Sequence, residues 1–109
     1  MMRRIIIESP FAGDVETHIT NARRCIRDAL IRGESPLASH LLYTQPSILN
    51  DEVPSERAWG IAAGHAWIGV TEAVVFYVDY GISKGMGIAL DLAMQNHIVI
   101  ERREIGKNP

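Results

Sequence analysis

The chain has 109 residues, 47% of them apolar, one cysteine and a formal charge of −2. That length suits one compact domain, residues 1–109, burying roughly 60–70% of its extended surface without staples. A lone Cys25 excludes an internal disulfide framework and a multi-cysteine zinc site, and the near-neutral charge argues against a dedicated nucleic-acid binder.

The N-terminal Met1-Met2-Arg3-Arg4-Ile5-Ile6-Ile7-Glu8 has an apolar stretch too short for a signal peptide. No run reaches the roughly 18–20 apolar residues of a membrane span. A cytoplasmic location is therefore expected, with neither membrane nor nucleic acid as a partner. Arg3 to Glu8 reads as a first strand, since three consecutive β-branched residues suit a strand covered on both faces. Ser9-Pro10-Phe11-Ala12-Gly13-Asp14 is a turn. From Val15, apolar residues at Val15, Ile19, Ala22, Ile26, Ala29 and Leu30 form a helical stripe, with Asp14 as N-cap and Gly33 as stop. Ser35 to His40 reads as a short second strand that Pro36 confines to an end or an edge.

Leu41 to Pro54 shows no sustained period and is long for a passive connection. Ser55 to Gly69 reads as a second helix, with Pro54 at its first turn. Glu72 to Asp79 contains Ala73-Val74-Val75-Phe76-Tyr77-Val78, the strongest strand signal of the chain. After a turn over Tyr80–Gly85, a stripe at Met86, Ala89, Leu90, Ala93 and Met94 predicts a third helix. His97 to Glu101 is a last strand, and 102–109 is a charged tail. Alternating apolar strands and amphipathic helices predict an α/β fold, a flavodoxin- or Rossmann-like three-layer sandwich with a short, mostly parallel four-stranded sheet.

In such a fold ligands bind beyond the carboxyl ends of the strands. The first turn offers backbone N–H groups of Ser9, Pro10's neighbours, Phe11, Ala12 and Gly13 just ahead of a helix, suited to an anion or a sugar hydroxyl. The plain alternative is an ordinary turn capped by Asp14. In the third turn Asp79, at the end of a buried strand, is a candidate for ribose hydroxyls. Gly81, Ser83, Lys84, Gly85 and Met86 open the next helix, where Ser83 and Lys84 face a phosphate or serve only as cap and solvated charge. His40 beside Ser39 is the candidate histidine, and Phe11 or Tyr43 can stack on a base. A Ser-His-Asp set can be drawn from Ser9, His40 and Asp79, but no nucleophile-elbow motif supports it. No His/Asp/Glu cluster has metal-ligand spacing, and neither G-x-G-x-x-G in the first turn nor Walker A anywhere is found, so no metal and no cofactor are expected. The second helix is apolar on nearly all sides, with Trp59, Ala63 and Trp67 on one stripe and Ala58, Ile61, Ala62 and His65 on another. Homo-oligomerisation through the 55–69 helix is one expectation, and cover by the Leu41–Pro54 loop is the other.

Glu8 to Asp14, Ser39-His40-Leu41-Leu42-Tyr43-Thr44-Gln45, Pro54-Ser55-Glu56-Arg57, Gly60 to Gly64 and Gly81-Ile82-Ser83-Lys84-Gly85-Met86 together resemble small phage and bacterial domains of the nucleoside 2-deoxyribosyltransferase-like superfamily. The resemblance implies a flavodoxin-like oligomer that binds a nucleoside at the strand ends, with Asp79 matching a substrate-holding carboxylate. Those enzymes carry a nucleophilic Glu four residues before an alanine of the third helix, and counting back from Ala93 gives Ala89. Asp91 is the nearest carboxylate, on the opposite side of that turn. The resemblance thus implies a nucleotide- or ribose-binding domain without turnover, in a phage setting a sponge for nucleotide immune signals such as cyclic ADP-ribose derivatives, acting in the host cytoplasm. The alternative it implies is an enzyme acting on an N-glycosidic bond, with Asp91, Asp79 or Glu8 as the carboxylate.

Overall fold

A computed structural model describes residues 1–108. Strand β1 (Arg4–Glu8) leads into helix α1 (Val15–Ile31), then β2 (Ser35–Leu37), a one-turn helix α2 (Ser39–Leu42), a long loop and α3 (Pro54–His65). A 3₁₀ turn (Ile68–Val70) precedes β3 (Ala73–Tyr77), α4 (Lys84–Gln95) and β4 (Val99–Arg103). The four strands form one sheet in the order β2-β1-β3-β4, all parallel. The α/β architecture expected from the sequence is therefore present, as a flavodoxin-like layering of helices on both faces of a parallel sheet.

Side-chain alternation along the strands divides the core in two. Ile5, Ile7, Ala73, Val75 and Tyr77 face α1, where Ala22, Cys25 and Ala29 meet them together with Leu41 of α2. Ile6, Val74 and Phe76 face α4, where Met86, Ala89 and Ala93 pack with Ile68. Cys25 is fully buried, and burial pushes its thiol up to about 12, so it remains a packed thiol. Because β1 and β3 lie inside the sheet, their unbroken apolar runs are covered on both sides.

Each turn positions the next element by local chemistry. Asp14 caps α1, its side chain accepting from the Thr17 amide, and Gly33 (φ 83°) ends it in the left-handed region that favours glycine. Ser83 caps α4 by accepting from the Met86 amide at 3.2 Å. Three sequence expectations are corrected here. The second strand stops at Leu37, because only Ser35–Leu37 pair with β1, and Ser39–Leu42 coil into α2 instead. The second helix ends at His65, followed by a separate 3₁₀ turn rather than running to Gly69. The last strand is shifted toward the tail, Val99–Arg103, and the chain beyond it crosses the end of β3, where the Ile105 amide donates to Asp79.

Candidate functional site

The carboxyl ends of β1 and β2 and the first turn of α4 open onto a cavity of about 210 Å³. Glu8, Ser9, Phe11 and Ala12 form its floor from the β1 end, and Ser39, His40, Tyr43 and Thr44 line it from α2 and its exit. Glu56, Arg57, Gly60, Ile61 and His65 of α3 form another wall, opposite Ser83, Lys84, Gly85 and Met86 of the α4 start. The loop before α3 closes one side, held by the Arg57–Asp51 ion pair at 2.7 Å and by the Asn50 amide donating to Glu56. Leu49 of that loop packs where a Cβ on Gly60 would stand, 3.1 Å away. An open groove lined by Phe11, Val15, Pro46, Ile48 and Leu49 continues outward from the cavity. The inner cavity alone is smaller than a typical drug-sized site, and cavity and groove together have room for a sugar with an attached ring.

The polar floor has unusual chemistry. Ser9 Oγ lies 2.7 Å from His40 Nε2, and His40 Nδ1 is buried without a partner. A buried N–H with no acceptor is a rarer and costlier orphan than a bare lone pair. We therefore assign the proton to Nε2, which donates to Ser9 Oγ and leaves the Ser9 hydroxyl hydrogen free for the cavity. Burial lowers the His40 imidazole to about 4, so the ring is neutral at ordinary pH. In this arrangement His40 donates to Ser9 rather than withdrawing its proton, the reverse of an activated nucleophile. Glu8 is half-buried at the end of β1, and desolvation there pushes its carboxyl up to about 8. Among the described residues no group hydrogen-bonds that carboxyl.

The cavity brings together Ser9, Phe11, Ala12, His40, Tyr43, Ser83, Lys84, Gly85 and Met86 from the expected set, while Pro10, Gly13, Gly81 and Asp79 do not line it. Asp79 has a different partner. Its carboxylate accepts the backbone N–H groups of Ile105 (2.9 Å) and Gly106, tying the tail across the end of β3. Asp79 is thus engaged by the protein's own backbone outside the cavity lining, apart from Ser9 and His40. Asp91 is exposed on α4, outside the cavity lining, so of the three candidate carboxylates only Glu8 faces the cavity. Ala89 is fully buried under the sheet. Sequence reasoning passed over Arg57, Glu56, Asp51 and His65, and the Pro54-Ser55-Glu56-Arg57 stretch was the available signal. No group of three His, Cys, Asp or Glu residues among the described residues is placed to hold a metal ion.

A family model described as Domain of unknown function (DUF7768) matches residues 3–103, which include every residue lining the cavity. The chain belongs to the DUF7768 family. A comparison with curated proteins finds no match. The DUF7768 description carries no activity, and the chemistry of this member is read from its cavity.

Proposed function

We propose that the cavity binds a nucleotide- or ribose-containing small molecule and holds it without turnover, as a sequestering domain would. The observation that carries this reading is the convergence of hydrogen-bond donors on a cavity whose wall carboxylates, Asp51 and Glu56, are engaged by Arg57 and by the Asn50 amide. The Ser9 hydroxyl, the start of α4 at Ser83–Gly85 and the cations Arg57 and Lys84 all face one cavity. Phe11 and Tyr43 offer ring faces toward the same space and its groove. Turnover at a glycosidic bond needs a carboxylate at the reacting carbon. Ala89 is apolar and buried, Asp91 lies outside and Asp79 holds the tail.

Calorimetric titration with a panel of nucleosides and nucleotides tests the reading: saturable binding of at least one member is expected, and none by any member overturns it. The second reading, cleavage of an N-glycosidic bond, is favoured by one observation, the Glu8 carboxyl lining the cavity, which desolvation pushes up to about 8, toward the form of a general acid. Free base released from a nucleoside or nucleoside monophosphate, and lost on Glu8→Ala, decides for that reading. We further propose that copies of the chain associate through α3. Its inner side lines the cavity through Gly60, Ile61 and His65, while Trp59 on the helix is 69% exposed and Trp67, just past its end, is 48% exposed. The Leu41–Pro54 loop covers the Gly60 side of the helix and leaves those two rings open to solvent.

A further inference from the structure

We propose that Glu8 donates a hydrogen bond to a phosphate oxygen of the ligand, so that the inner cavity takes the phosphorylated end of a nucleotide. The inference rests on the binding function proposed above and adds which end of the ligand enters and which group reads it. Three placements converge on it. Glu8 ends β1, half-buried, lines the cavity and has no hydrogen-bond partner among the described residues. A buried carboxyl with no cation against it keeps its proton, and a neutral carboxylic acid donates where a carboxylate only accepts. Next to it, the Ser9 hydroxyl hydrogen is released toward the cavity by the bond from His40. On the opposite wall the Lys84 and Gly85 amides begin α4 with no acceptor among the described residues, and the Lys84 ammonium lines the same space.

A phosphate monoester presents three acceptor oxygens and close to two negative charges, enough for all of these donors. A carboxylate has only two oxygens, and a neutral sugar edge leaves the helix start and the ammonium without an anion. Were Glu8 ionised, it would repel the phosphate and offer no proton. The charged and titratable groups that face Glu8 across the cavity are His40 from α2, Tyr43 just past it, Asp51 from the loop, Glu56, Arg57 and His65 from α3, and Lys84 from α4. Burial lowers both histidines, so they stay neutral above pH 7, and the ligand phosphate is already fully ionised there.

The experiment titrates the full chain with adenosine 5′-monophosphate and, separately, with adenosine, at about pH 7 and about pH 9.5, for the wild type and Glu8→Gln. Affinity of the wild type for the monophosphate should fall about 30-fold over that range as Glu8 loses its proton. The glutamine amide donates without titrating, so Glu8→Gln should keep its affinity within about threefold, and adenosine should show no such fall in either protein. All other cavity groups are common to the two proteins, so the difference between them belongs to Glu8. Monophosphate binding by the wild type that is flat with pH overturns the inference while leaving the binding function standing, as does an equal fall in both proteins or a parallel fall for adenosine. Absence of binding by either compound at both pH values overturns the binding function and this inference with it. Should the variant fail to fold, the wild-type contrast between monophosphate and adenosine decides by itself.

Discussion

At the scale of single residues, two sets of carboxyls pull stability in opposite directions. Glu34, buried beside β2, takes a bidentate pair of hydrogen bonds from Arg103, both at 2.7 Å, with side-chain exposures of 10% and 9%. The Arg103 guanidinium holds the Glu34 carboxyl below its ordinary value, and Arg3 does the same for Glu101. Their stabilisation is present above the usual Glu range and is lost as pH falls through it toward the lowered folded values. Glu8 has the opposite sign: its folded value of about 8 stands above the ordinary 4.5, so stability declines as pH rises between the two. Urea unfolding across pH should therefore show a maximum near about pH 5. Glu8→Gln should stabilise the protein by up to about 3 kcal/mol at pH 7 and flatten the alkaline side of the profile. Glu34→Gln should cost about 3 kcal/mol, because it leaves the buried Arg103 without its bidentate partner. The exposed Arg4–Glu72 pair is the internal control, and Arg4→Ala should change stability by less than about 1 kcal/mol.

At the scale of elements, the parts most legible in the sequence are those whose packing is dictated by their own pattern. The run Ile5-Ile6-Ile7 and the run Ala73–Tyr77 became the two inner strands, and the stripe from Val15 became α1 with its Asp14 cap. Residues 35–37 form the expected strand, and Ser39–Leu42 depart from it for a physical reason. A one-turn helix has no period to display, and α2 exists because Leu41 enters the α1-face core and Ser39 fits against Gly64 of α3. His40 reaches Ser9 through that long-range fit, not through a strand end. Asp79 shows the same limit, since the amides it accepts belong to a tail 26 residues onward. The α2–α3 approach makes a prediction: a Cβ at Gly64 would collide with Ser39, so Gly64→Ala should lose about 1–3 kcal/mol and weaken ligand binding by displacing His40. Gly87, inside α4 with nothing within 4 Å of its Cβ position, is the contrast, and Gly87→Ala should gain about 0.5–1 kcal/mol in thermal unfolding.

At the scale of the whole molecule, 109 residues build a sheet with only one long helix on each face, leaving α3 at the cavity end with its tryptophans outward. Light scattering should report more than one copy per particle, and Trp59→Glu should reduce the assembly to monomers. A wild-type monomer at all concentrations would contradict self-association through α3. No helix among the described residues is long and apolar enough to cross a membrane. The same economy concentrates the polar chemistry: one cavity gathers β1, α2, α3 and the start of α4, and of the candidate glycosyl-transfer carboxylates Asp79 and Asp91 lie outside it while Glu8 lines it. The most direct measurement is a crystal structure of the protein grown with the tightest-binding nucleotide. The account predicts an intact nucleotide in the cavity, its phosphate among Glu8, Ser9 and the α4 amides and its base toward Phe11 and the outer groove. A nucleotide seated elsewhere with this cavity empty, or a separated base and sugar within it, would contradict the account.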